Sequence, residues 1–286
     1  MVSLLALLLA QSAAATPPPT EGAEVVVTAR ADPEREIRDF VDVLADTRVS
    51  GRIERFETRQ ACPAVTGLPP SFAQAVVARM RRIAAAAEVP LAKPGCRANV
   101  VAMVVTDKRA FLATLERKYP QFLSGLSGEA RRKLMRDEGP AVAWQLSGAG
   151  LNADGVELEA DPDSGATVNR TTTRGSRLTD SGRTQFTGAV VVIEAKALTG
   201  LTTTQVADYA AMRGFARTDP TKLVGSRVPT ILKVLDAPMG SEVPLTLTDW
   251  DLGYLRGLYA APMNVRAVQQ RSAIRKGVER TLENDR

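Results

Sequence analysis

Val100-Val101-Ala102-Met103-Val104-Val105 is an unbroken apolar run of β-branched and small side chains, and Ala189-Val190-Val191-Val192-Ile193 repeats the pattern. A strand with one wet face alternates apolar and polar residues, whereas a strand covered on both faces does not. Both runs therefore predict central strands of a sheet lying between helices. Asp107 follows the first run as a helix cap, with Phe111, Leu112 and Leu115 at helical spacing behind it. Upstream, Leu68-Pro69-Pro70-Ser71 opens a helix to about Ala87, expected to bury Phe72, Val76, Met80, Ile83 and Ala87. Ile53 to Thr58 reads as a strand leading into Cys62-Pro63, so residues 53 to 118 predict a β-α-β-α order.

Outward from that frame, Asp32-Pro33 starts a helix through about Asp46 whose apolar face is Ile37, Phe40, Val41 and Leu44. Glu129 to Asp137 is a basic helix stopped by Gly139-Pro140, and Val142 to Leu146 is a strand carrying Trp144. The pattern fails from Gly148 to Thr187, a Gly-, Asp-, Thr- and Arg-rich stretch expected to be a long excursion or hairpin and a possible sub-boundary (148–187). Thr202-Thr203-Thr204-Gln205 is a capping box for a helix to about Ala216, and helices follow at Thr230 to Leu235, Thr248 to Tyr259 and Asn264 to Leu282. The expectation is an α+β fold with a mixed sheet, a β-α-β-α N-terminal half and a largely helical C-terminal third. It forms a single globular domain over residues 32–286.

Val2 to Ala10 is a short apolar core, and Ala13-Ala14-Ala15 offers small residues for cleavage before Thr16-Pro17-Pro18-Pro19. Residues 1–15 read as a signal peptide, departing from the usual pattern only in lacking Lys or Arg at the start. Residues 16–31 read as a flexible Pro-rich arm. No apolar run reaches the ~20 residues of a spanning helix, so the chain is not expected to span a membrane. Export makes Cys62 and Cys96 a predicted disulfide.

Among 286 residues there is no histidine. That removes Ser-His-Asp, Cys-His and HExxH chemistry from a chain acting alone. S-x-x-K and G-x-S-x-G are also absent. With both thiols assigned to a disulfide and no imidazole, no zinc site and no cofactor is expected. Gly148-Ala149-Gly150-Leu151-Asn152-Ala153 has a dinucleotide-like spacing, but Asp154-Gly155 interrupts it where a phosphate-binding helix should begin. Carboxylates remain. Asp154, Glu157, Glu159, Asp161 and Asp163 share one polar loop without EF-hand spacing. Asp249 and Asp251 open a helix, where capping accounts for them as well as acid-base work does. Asp208, Asp249 and Asp251 are the candidate acids of a hydrolase, and their convergence with Arg213 in a cleft would favour that reading. The net charge is +5, with 29 Arg against 8 Lys, a bias that a GC-rich genome also produces. On the last helix Val268, Ile274, Val278 and Leu282 read as the inward stripe. Arg271 and Arg275, one turn apart, become candidate ligands for an anionic group.

Three stretches resemble known proteins. Glu24-Val25-Val26-Val27-Thr28-Ala29-Arg30 resembles the TonB box of outer-membrane receptors, although a chain with 5% aromatics cannot build a receptor barrel of about 22 strands. The resemblance implies at most an arm contacting a TonB-like protein. Leu245 to Leu252 with Leu255 to Tyr259 resembles the closing helix of zincin-type secreted metalloproteases, which implies a zincin-like scaffold offering Gln205 and Tyr209 where two histidines would stand. Cys62-Pro63, Gly95 to Asn99, Gln205 to Arg213 and Thr248 to Asp251 together resemble uncharacterised secreted proteins of alphaproteobacteria, implying a periplasmic or secreted setting. Two readings stay open: a non-catalytic envelope module binding a partner or anionic component, with no nucleic acid expected, and a carboxylate-dependent hydrolase.

Overall fold

The computed structural model describes residues 32–45, 51–161, 163–164, 166–173, 182–238, 240–262 and 264–284. The leader 1–15 and the arm 16–31, including the TonB-box-like segment, lie outside them. Residues 33–286 form one compact unit.

The two valine-rich runs become β2 (Val100–Val105) and the far half of β6 (Gly182–Glu194), hydrogen-bonded to each other in parallel at the centre of a four-stranded sheet. A short β1 (Pro63–Thr66) lies parallel to β2 on one edge, and β3 (Ala141–Asn152) lies antiparallel to β6 on the other, in the order β1-β2-β6-β3. Pleating explains why the runs are apolar throughout. Val190 and Val192 face one core with Leu112, Leu115, Leu134, Val142 and Trp144, while Ala189, Val191 and Ile193 face a larger core on the opposite side. The first is roofed by α3 (Lys108–Lys118) and α4 (Gly128–Met135). The second is filled by α2 (Pro70–Ala86), α5 (Thr203–Phe215), α6 (Asp249–Ala260) and α7 (Ala267–Asn284), with α1 (Pro33–Leu44) stacking Phe40 edge-on against Trp250 and Tyr254. The fold is α+β with a mixed sheet, as the sequence implies.

Cys62 and Cys96 form a disulfide with Cα atoms 6.1 Å apart. Cys62 immediately precedes β1, and Cys96 lies in the loop entering β2. The bridge therefore ties together the same ends of two parallel neighbours. Asn99 completes the junction, its Oδ1 accepting from Cys62 N–H at 2.6 Å.

Several local expectations are corrected. Residues 53–58 make no ladder and are not a strand; β1 begins five residues later. Their alternation comes from burial on all sides: Ile53 and Phe56 enter the core, while Arg55 donates to the carbonyls of Leu258 and Ala261, the latter at 2.7 Å. Gln270 bonds both Ile53 N–H (2.8 Å) and Ile53 C=O (3.1 Å), a side chain standing in for a neighbouring strand. Phe72 is 52% exposed because the helix turns Val76, Met80, Ile83 and Ala84 inward instead. On α7 the inward face is Ala267, Gln270, Ile274, Gly277, Val278 and Thr281, and Val268 is 74% exposed. Thr230 to Leu235 contains only one 3-10 turn, Ile231–Lys233. The Gly148 stretch is not a phosphate loop: β3 runs through it to Asn152 and, with β6, makes the long hairpin expected there, carrying the small ribbon β4 (Glu159–Ala160) and β5 (Thr167–Val168).

Candidate functional site

Asp208 sits on α5, whose residues from Gln205 to Phe215 are all buried. It is fully buried and accepts from Arg79 Nε (2.7 Å) and Nη2 (3.1 Å), Thr246 Oγ1 (2.7 Å) and Leu247 N–H (2.5 Å). Asp251 is equally buried and accepts from Thr230 Oγ1 (2.5 Å), Ile231 N–H (2.9 Å), and Thr248 N–H (3.1 Å) and Oγ1 (2.8 Å). Burial pushes the Asp251 carboxyl upward in pKa against these hydrogen bonds, which pull it down. The two carboxylates thus clamp consecutive residues, 246–247 and 248, of the segment that turns into α6. Asp249 occupies the first helical turn beside them, half-buried. All of Asp208 and Asp251's lone pairs point at protein donors, an arrangement for holding a loop rather than for moving protons. Gln205 and Tyr209 are likewise committed: Gln205 closes the capping box with Thr202 and donates to Pro244 C=O at 2.8 Å, and Tyr209 is 2% exposed.

Arg271 and Arg275 converge on one carboxylate. Arg275 Nη2 lies 2.7 Å from Asp42 Oδ1, and Arg271 Nε lies 3.8 Å from it, so both guanidiniums dock α7 on α1 instead of standing free in solvent. In the acidic loop, Asp154 is ligated by its own turn, accepting from Thr172 N–H and the hydroxyls of Thr171, Thr172 and Thr173, which hold its carboxyl down at about 2. Glu157 pairs with Arg59 at 2.8 Å. No group of three or more His, Cys, Asp or Glu among the described residues is placed to hold a metal ion. No described helix is long and apolar enough to cross a membrane.

The most developed concavity lies elsewhere, on the β3 edge of the sheet between the two helical layers. It is a cleft of about 570 Å³, lined by Val142 to Gln145 of β3, by Ala130, Lys133 and Leu134 of α4, and by Arg213, Arg217, Thr218 and Asp219 at the end of α5. Lys133 Nζ reaches Asp219 Oδ2 at 2.8 Å and ties the two walls together. Burial raises the Asp219 carboxyl, but Lys133, Thr221 and the field of Arg213 outweigh it and hold the group at about 2.

Arg213 is the unusual residue. It is 5% exposed, and one nitrogen donates to Thr218 C=O at 2.7 Å. Its Nε is buried with no hydrogen-bond partner, as is the Oγ1 of neighbouring Thr218. No carboxylate among the described residues comes within ion-pair distance of it. A buried cation lacking a counter-ion costs several kcal/mol, which makes this position a natural receiver of an anion. Arg217 beside it is already engaged, bonding Glu54 (2.8 Å) and Ser147 Oγ (3.1 Å) and lying 5.3 Å over the Phe186 ring.

The strand that lines the cleft contributes polar groups too. Glu194 N–H donates to Pro140 C=O at 2.9 Å and sets the phase of the antiparallel ladder. Pro140, Val142 and Trp144 then bond to β6, and Ala143 and Gln145 turn their N–H and C=O groups outward along the sheet edge. Among the described residues these main-chain groups have no partner. Sequence reasoning placed Arg213 among the residues to watch but could not see this cleft. The signal available was a charged residue in a helix that is otherwise apolar on every side, which must be buried. Compared with protein-family models, curated proteins and solved structures, the chain matches none.

Proposed function

We propose that this is an exported, non-catalytic binding module of the cell envelope, whose ligand presents an anionic group to Arg213 in the cleft beside β3. The observation that carries this reading is the buried guanidinium, with an unpartnered Nε next to an unpartnered Thr218 hydroxyl, on the wall of a cleft of ligand size. The apolar leader and the Cys62–Cys96 bridge support an oxidising, extracytoplasmic setting, periplasmic or secreted. The cleft's other reactive side chains are occupied in ways that favour binding over chemistry. Ser127 Oγ caps α4 by accepting from Ala130 N–H at 3.1 Å, and Lys133 is paired with Asp219.

Thermal unfolding with a panel of small carboxylates, acetate, succinate and N-acetyl amino acids, tests this. A ligand of the native state raises the melting temperature by mass action. The wild type is expected to gain stability with concentration and Arg213→Met is not. Equal gains in both, or none in either, would contradict the proposal.

A further inference from the structure

The cleft has a direction as well as a charge. Its inner end is closed: a Cβ built on Gly125 would lie 3.3 Å from Ser147 C=O, so the loop at Gly125 covers the β3 edge immediately beyond Gln145. Arg213 stands at that closed end, because Gln145 Nε2 donates to Arg213 C=O (2.8 Å) and Ala216 C=O (3.0 Å) and holds the end of α5 against it. At the opposite end of the lining is Asp137, neutralised by Lys108 Nζ at 2.7 Å.

From this the geometry points to the C-terminus of an extended polypeptide as the ligand: its last three or four residues add to β3 as a parallel strand, and the terminal carboxylate meets Arg213 and Thr218. The inference rests on the cleft being a ligand site, as proposed above. Four outward main-chain groups at Ala143 and Gln145 are satisfied in kind by another backbone, two N–H donors and two C=O acceptors spaced ~7 Å apart along the strand. A small carboxylate would leave them bare. A strand passing through would run into the Gly125 loop, whereas a chain end stops there. A ligand whose chain ends at Gln145 must run in the direction of β3, which makes the ladder parallel. Its carboxylate then accepts from the one buried guanidinium Nε–H that has no protein partner, a charge-assisted bond of the stronger class. Val142, Trp144, Leu126 and Leu134 give that end of the cleft an apolar wall for the last side chains.

The test uses isotopically labelled mature chain and three probes: a randomised mixture of N-acetylated tetrapeptides with free C-terminal carboxylates, the same mixture as C-terminal amides, and sodium acetate. The Ala143 and Gln145 amides and Arg213 Nε–H are followed by NMR, together with amide hydrogen exchange. The acid mixture is expected to shift all three resonances saturably and to protect the Ala143 and Gln145 amides, with the amidated mixture weaker by about tenfold or more. Equal binding of acid and amide mixtures would overturn carboxylate capture. Acetate matching the acid mixture, without protecting Ala143 and Gln145, would overturn the peptide and leave the cleft as an anion site. No movement of these resonances with any probe would overturn both. None of these outcomes depends on a variant folding.

Discussion

Replacing Asp251 separates a structural carboxylate from a catalytic one. In the native state Asp251 satisfies two buried main-chain N–H groups, of Ile231 and Thr248, and two hydroxyls, of Thr230 and Thr248. Asp251→Ala leaves all four without their acceptor. The hydroxyls have other bonds to keep, since Thr248 Oγ1 also reaches Pro229 C=O at 3.0 Å and Thr230 Oγ1 accepts from Leu232 N–H at 3.2 Å. The two N–H groups have none. An orphaned buried donor costs about 1–3 kcal/mol, so the pair sums to about 2–6 kcal/mol, and water entering the vacated space lowers the upper end. A loss of about 3–4 kcal/mol is expected. Asp251→Asn keeps one oxygen for the two N–H groups and turns an amide toward Thr230, so about 1–2 kcal/mol is expected for it. Urea unfolding followed by the fluorescence of Trp250, adjacent on α6, and of Trp144 measures both. A loss below about 1 kcal/mol in Asp251→Ala would show that the clamp does not hold the turn, and would return Asp251 to the list of candidate acids.

Gly277→Ala should raise helix propensity by ~1 kcal/mol but instead destabilise, because its Cβ would lie 2.5 Å from Gly257 Cα where α6 and α7 cross backbone to backbone; a higher urea midpoint than wild type would refute the close crossing. Reducing the Cys62–Cys96 bridge, which spans 34 residues, is expected to lower stability by about 3–4 kcal/mol by loop entropy, with unfolding in dithiothreitol as the check and an unchanged midpoint as the contrary result. Asp219 has a native pKa of about 2, below its ordinary unfolded value, so its contribution is present above pH ~4 and lost as pH falls toward 2. The midpoint should therefore drop less over that window in Asp219→Asn than in wild type, and parallel profiles would contradict the pairing. N-terminal sequencing of the exported protein should begin near Thr16, and an intact Met1 would rule out the leader.

The parts of the fold that sequence reveals are those encoded locally. The valine runs of β2 and β6 announce two-sided burial. The caps at Asp107, Thr202 and Thr248 mark three helix starts that the structure reproduces. What escaped depends on distant partners. Residues 52–56 are buried by α6, α7 and Gln270, more than 200 residues away, so their alternation mimicked a strand. Arg271 and Arg275 looked free because Asp42, their partner, lies on a helix at the other end of the domain. The glycines of α6 and α7 carry no signal of their own that two helices meet there. The cleft is invisible for the same reason: that β3 is an edge strand depends on β6, some forty positions later, pairing with β2 on its other side.

The most direct measurement of the central claim is the Nε–H resonance of Arg213 during titration with N-acetyl-alanine. Arg79, whose Nε already donates to Asp208 at 2.7 Å, serves as the internal control. If the cleft receives an anion, the Arg213 signal moves saturably, Thr218 moves with it and Arg79 stays fixed. An Arg213 resonance that remains still, or that drifts no further than that of Arg79, would contradict the cleft as the site of binding.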